Sequence, residues 1–171
     1  NGASIYNSTS AGDLRVTGVK TATIGGVAGF SSGYIVNTSV ESSIEAASSS
    51  DYNVGGIVGR ATGGKIAYVQ AKSPHQEKIL IGDSITSNRV NTATSVGGIA
   101  GLADATDMQK VSSYLPIGVT STNPYNTINA GGFAGLLGEN TSGMIKQAYA
   151  VGALTIQGKA GAFAGGFAGS I

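Results

Sequence analysis

Apolar and polar residues alternate along this chain in short runs. "SIYNSTS" (4–10), "YIVNTSV" (34–40), "KIAYVQA" (65–71), "KVSSYLP" (110–116) and "MIKQAYA" (144–150) are of this kind. Each run is rich in β-branched residues and bounded by Gly, Asn or Ser, the signature of a short strand. Shorter apolar runs lie between them: "LRV" from Leu14, "IEA" from Ile44, "ILI" from Ile79, "IGV" from Ile117 and "LTI" from Leu154. No apolar spacing of alternately three and four residues persists, so little helix is expected.

A third kind of run recurs with less variation. It reads "IGGVAGF" (24–30), "VGGIVGR" (54–60), "VGGIAGL" (96–102), "AGGFAGL" (130–136) and "GGFAGS" (165–170). Its first glycines, Gly25, Gly55, Gly97, Gly131 and Gly165, anchor five units. In three units the same intervals return, Ile5–Leu14–Gly25, Ile35–Ile44–Gly55 and Ile145–Leu154–Gly165, and the other two differ by insertions or deletions in the connections. Repeats of this length bury a face only against their neighbours, so they stack. The expectation is a single all-β repeat domain over residues 1–171. Its form is a β-solenoid like a parallel β-helix, about five coils of three short strands. Stacked at the usual inter-strand spacing, five coils rise about 24 Å.

The glycines then have a structural reading. Corners need backbone free to take positive φ, and close approach needs a missing Cβ. Gly25 and Gly26, Gly55 and Gly56, Gly97 and Gly98, Gly131 and Gly132, and Gly165 and Gly166 are the expected corner pairs. Gly29, Gly59, Gly101, Gly135 and Gly169 close each block. The third residue of each block is apolar, and Val27, Ile57, Ile99, Phe133 and Phe167 are expected as an inward ladder. A second ladder is expected from Ile35, Ile66, Val111 and Ile145. The fourth residue is small. Strand alternation would turn Ala28, Val58, Ala100, Ala134 and Ala168 outward, as an apolar stripe open to a partner or to a covering connection.

Composition sharpens this picture. Glycine supplies 28 of 171 residues, 41% are apolar and only 11% are charged. That is the reverse of a disordered composition. The net charge is +1 and the ten Lys and Arg are scattered, which argues against nucleic acid or an anionic membrane as partner. No apolar stretch is long enough to span a bilayer. There is no cysteine, hence no disulfide framework or thiolate metal site. No leader pattern opens the chain, and Asn1 as first residue suits a processed form or an excised piece.

"GGVAG" lacks the spacing of a dinucleotide loop, and "GGKI" at 63–66 lacks the hydroxyl residue of a phosphate loop. His75 is the only histidine, too few for a zinc peptidase site, and reads as a loop residue. No two of the nine acids fall at equivalent positions of adjacent units, so paired-carboxylate catalysis is not expected. Glu45 instead aligns with Arg15 one unit earlier, as a surface ion pair. "DATD" (104–107) lacks the pattern of a calcium loop. Neither catalytic residues, metal nor cofactor are expected. Asn7, Asn37 and Asn140 are glycosylation sequons.

The glycine blocks and the strands after them, "GGIVGRATGGKIAYVQA" and "GGFAGLLGENTSGMIKQAYAVGAL", resemble the GLUG-motif repeats of bacterial surface and secreted proteins, some of which sit beside IgA-specific metallopeptidases. The chain departs in using Val, Ile or Phe where Leu is typical, and in its long connection over 71–95. The resemblance implies an extracellular, cell-surface setting and no chemistry of its own. The functional expectation is a structural or adhesive module, either a filament subunit or a segment of a large adhesin. The chain opens with one kind of strand (Ser4, Ile5) and closes with an anchor block, so the expected partner is another copy, head to tail, or neighbouring repeats of a parent protein. The alternative is a carbohydrate-binding or carbohydrate-active β-helix. That reading gains weight if Tyr6, Tyr68 and Tyr149 share an outer face.

Overall fold

The first strands follow the chain's own punctuation. In the computed structural model, β1 (Ser4–Tyr6), β2 (Thr9–Ala11), β3 (Leu14–Thr17), β4 (Ala22–Gly25) and β5 (Ala28–Ser31) make one circuit. The second circuit is β6 (Tyr34–Glu41), β7 (Ile44–Ser48), β8 (Tyr52–Gly55) and β9 (Val58–Thr62). The third is β10 (Lys65–Lys72), β11 (Ile79–Asp83), β12 (Thr92–Gly97) and β13 (Ala100–Asp104). The fourth is β14 (Asp107–Ser113), β15 (Ile117–Ser121), β16 (Asn126–Gly131) and β17 (Ala134–Leu137). The last is β18 (Ile145–Ala150), β19 (Leu154–Gly158), β20 (Gly161–Gly165) and β21 (Ala168–Ser170). The structure describes residues 2–19, 21–48, 51–72, 79–83, 92–138 and 143–171.

Every strand pairs in parallel with its counterpart one circuit away, giving four sheets. Sheet A runs β1-β6-β10-β14-β18, with β2 also on β6; sheet B runs β3-β7-β11-β15-β19. Sheet C runs β4-β8-β12-β16-β20, and sheet D runs β5-β9-β13-β17-β21. The fold is an all-β solenoid of stacked parallel strands. The registers of the short apolar runs and of the glycine blocks are as expected. Leu14, Ile44, Ile79, Ile117 and Leu154 stand in one column. Gly25, Gly55, Gly97, Gly131 and Gly165 stand in another.

Each circuit crosses four sheets, not three, and in the first circuit the sheet A segment is split into β1 and β2. The glycine block is not one strand: sheet C ends on its first glycine and sheet D begins on its fourth residue. Hydrogen bonds show why the chain turns there. The amides of Ile57 and Val58 both donate to the Ile99 carbonyl, those of Ile99 and Ala100 to Phe133, and those of Phe133 and Ala134 to Phe167. Two successive amides pointing the same way along the axis cannot belong to an alternating strand. Side-chain alternation is interrupted with them. Val58, Ala100 and Ala134 are therefore buried completely alongside Ile57, Ile99 and Phe133. The expected outward stripe does not exist: its interior members belong to the core, while Ala28 and Ala168, in the end circuits, are half-buried.

The inward ladder itself is present. Phe133 and Phe167 stack with ring centroids 4.5 Å apart and planes 7° from parallel. The second ladder differs by one residue. Ile35, Ile66 and Ile145 share their rung with Met108, and Val111 stands with Thr38, Val69 and Ala148. Each interior strand of sheet A has one residue in left-handed conformation between these two rungs: Asn37 (φ 52), Tyr68 (φ 57) and Lys110 (φ 53). That residue resets the alternation, so inward positions lie three apart instead of two.

The block glycines do not take positive φ; among the described glycines only Gly12, Gly18, Gly63, Gly64, Gly152 and Gly158 do. Close approach is their reason. A Cβ on Gly97 would stand 2.1 Å from the Ala100 carbonyl oxygen and 2.6 Å from Ala134 Cα. One on Gly101 would stand 2.4 Å from the Val54 amide, where sheet D lies against the backbone of sheet C one circuit earlier.

Candidate functional site: the outer face of sheet A

Sheet A carries most of the exposed aromatic side chains. Tyr6, Tyr34, Tyr68 and Tyr149 lie in its strands and Tyr114 follows β14 directly; all five are exposed. Tyr6, Tyr68 and Tyr149 therefore share an outer face, the condition under which the carbohydrate reading gains weight. The left-handed residues form the central column of this face: Asn7, Asn37, Tyr68, Lys110 and Gln147, with φ between 51 and 57. Every member is exposed. Asparagine is at ease there because its short amide bonds locally, whereas Tyr, Lys and Gln carry the steric cost of a Cβ in that region.

Neighbours in the column interact along the axis. Asn37 Nδ2 donates to Asn7 Oδ1 at 2.6 Å. The Lys110 ammonium lies 5.1 Å from the Tyr68 ring centroid, within reach of the ring's negative face. The next outward column runs Thr9, Ser39, Gln70, Ser112 and Tyr149. Thr9 and Ser39 share a hydrogen bond of 3.1 Å, and Gln70 Nε2 donates to Ser112 Oγ at 3.4 Å. Tyr149 meets Tyr114 edge to face, at 5.7 Å between centroids and 86° between planes. Their hydroxyls share one short hydrogen bond. That bond pushes the Tyr114 hydroxyl above the ordinary phenol value and holds Tyr149 below it.

Between these columns, over the first three circuits, lies a polar groove of about 420 Å³. Asn7, Ser8, Thr9, Asn37, Thr38, Ser39, Tyr68 and Gln70 line it. A second trough, of about 460 Å³, crosses sheet B over Ala47, Gly82 and Gly118. It exists because small residues stand at outward positions there, and among the described residues Glu45 is its only ionisable lining group.

The other sequence-picked residues are placed as follows. Arg15 and Glu45 are opposite each other in sheet B and form an ion pair of 3.3 Å, as expected. Two further opposite-charge neighbours, Lys72 beside Glu41 and Lys65 beside Asp107, were not singled out in the sequence. "DATD" is the corner from sheet D to sheet A. Its Thr106 donates to the Asp104 carbonyl, and Asp107 accepts from the Met144 amide. Asn7 and Asn37, two of the three sequons, lie on the sheet A face; Asn140 and His75 fall outside the described residues. Among the described residues no three His, Cys, Asp or Glu side chains come together as a metal site would need. No helix is long and apolar enough to cross a membrane. Alternation alone does not find the groove, because the left-handed column that shapes it includes Tyr and Lys, which announce no turn. No family model, curated protein or solved structure matches this chain.

Proposed function

We propose that this chain is a structural module of an extracellular surface protein, adhesive in role, whose solenoid is continued at its last circuit by a further coil of the same kind. One observation carries the reading. In four circuits the second glycine of the block is needed because a Cβ there would meet the next rung. From Gly26, Gly56, Gly98 and Gly132 it would stand 2.5, 2.2, 2.3 and 2.4 Å from the carbonyl oxygen of Gly56, Gly98, Gly132 and Gly166. Gly166 keeps the glycine although a Cβ there would meet nothing within 4 Å among the described residues. A sixth rung supplies the missing reason.

Two features support the same reading. The first and last circuits share the intervals Ile5–Leu14–Gly25 and Ile145–Leu154–Gly165. Their strands and connections therefore match when one is laid on the other. Both also leave core positions half-exposed: Ile5, Leu14 and Val27 at one end, Ile145, Leu154 and Phe167 at the other. Unpaired strand edges over apolar side chains favour addition of another strand. The continuing coil comes from a second copy, head to tail, or from the parent polypeptide. The low charge and the resemblance to surface-protein repeats support the extracellular setting.

A tandem fusion of two copies tests the stacking. It should melt as one cooperative unit above the temperature of the single copy. Gly166→Ala in the leading copy should lower that temperature and leave the single copy unchanged. A fusion that melts like the single copy and ignores the substitution would end the proposal. Light scattering on the unfused chain then assigns the source: concentration-dependent rods mean a second copy, and a persistent monomer means coils of a longer chain.

A further inference from the structure

We infer that the groove on the outer face of sheet A binds a neutral oligosaccharide, with Tyr68 as the ring against which a sugar packs. The lining decides the ligand class. Asn7, Asn37, Thr9, Ser39 and Gln70 carry amides and hydroxyls, which both donate and accept hydrogen bonds, as sugar hydroxyls do. Among the described residues no cation lines the groove to hold a phosphate or carboxylate, and no carboxylate lines it to hold a metal. The polar lining also disfavours a lipid or an apolar peptide. Asn37 gives Nδ2 to Asn7 Oδ1. Asn7 Nδ2 and Asn37 Oδ1 have no partner among the described residues, so one NH2 group and one carbonyl oxygen are left for a ligand.

Tyr68 supplies the independent observation. It holds φ 57 at a position where the two earlier circuits have asparagine. A bulky residue in that region strains the backbone, and strain of this kind collects at binding sites. The ring is 52% exposed, so burial does not repay the strain. Lys110, one circuit later, lies over the ring, while the groove lies toward Asn37, one circuit earlier. An exposed aromatic ring beside converging amides and hydroxyls is what a pyranose needs: one apolar face to stack and a rim of hydroxyls to bond. The inference stands apart from end-to-end stacking, since every lining residue belongs to this chain.

The test is calorimetric titration of the whole chain with four neutral hexasaccharides: cellohexaose, chitohexaose, maltohexaose and mannohexaose. Saturable binding of at least one is expected. Tyr68→Asn removes the ring and keeps a residue suited to left-handed backbone. It should weaken binding about tenfold or more, the loss of a good aromatic contact, with a melting temperature equal to or above the parent's. Tyr125→Asn, at an exposed tyrosine outside the groove, should leave binding unchanged. The inference is overturned if none of the four binds at millimolar concentration, or if Tyr68→Asn binds as the parent does.

Discussion

The tightest constraints in this solenoid are set by single atoms. Gly97 has no room for a Cβ, because the obstacles are the Ala100 carbonyl oxygen and Ala134 Cα, which belong to backbone and cannot swing away. Gly97→Ala should therefore destabilise by about 1–3 kcal/mol or more, as overpacking does. Gly82→Ala, whose Cβ would meet nothing within 4 Å among the described residues, should stay within about 0.5 kcal/mol. Urea melts of the pair check both. Phe133→Ala empties a fully buried aromatic site stacked on Phe167 and should cost about 3–5 kcal/mol. A loss under about 1 kcal/mol would place that ring outside the core. Ala100→Lys puts a charge where no water reaches, and no cooperative melt should remain. The tyrosine pair gives a pH signature. With Tyr149 lowered and Tyr114 raised by their shared hydrogen bond, the pair should release one proton below the ordinary phenol range and the second above it. The depressed Tyr149 favours the folded state as pH rises through its own titration, and the raised Tyr114 opposes folding once pH passes the unfolded phenol value. Ultraviolet titration should include an early step and a late one from this pair, and Tyr149→Phe should abolish the early one.

At the scale of the element, the bend in sheet A matters most. Its longer strands, β6, β10, β14 and β18, are each interrupted by one left-handed residue, and the groove lies along that column over the first three circuits. Tyr68, Lys110 and Gln147 occupy that position at a cost of roughly 1–2 kcal/mol each relative to a relaxed strand. Lys110→Asn should raise the melting temperature by relieving it. A fall instead would mean that the Lys110 contact with the Tyr68 ring outweighs the strain. Much of this element was legible beforehand: the runs, their β character and the columns of sheets B and C. The rung of β14 was not, because Met108 and Val111 are both apolar and both face inward. Alternation permits only one of them, and the left-handed Lys110 between them is a residue type that gives no sign of a bend.

The whole molecule is close to one-dimensional. Each circuit touches mainly the circuits before and after it, so stability is a sum of neighbour terms and the ends are the weak points. The interior rungs of the ladder, Ile57, Ile99 and Phe133, are fully buried, while Val27 and Phe167 at the ends are not. Amide hydrogen exchange on the isolated chain should therefore be slowest in β8–β9 and β12–β17. It should be fastest in β3–β5 and β18–β21, which fray without unfolding the centre. Uniform protection along the axis would mean that the ends are covered in solution, which is the state the end-to-end reading requires.

The periodicity of the glycine blocks determined the repeat, the parallel stacking and the column on which every circuit is registered, since a fixed interval can be satisfied only by units that meet the same neighbour in the same way. The Arg15–Glu45 pair followed from that register alone. What tertiary structure decided was direction. Whether Ala100 faces solvent or core depends on where two successive amides point, and they point to Phe133, a residue in the next circuit. Why Gly56 is glycine depends on the Gly98 carbonyl, again one circuit away. Tyr52, fully buried in sheet C, looks in the chain like any of the exposed tyrosines. The one-letter pattern records which residues recur; which way each side chain turns is fixed by hydrogen bonds between circuits, and those form only when the coils are stacked.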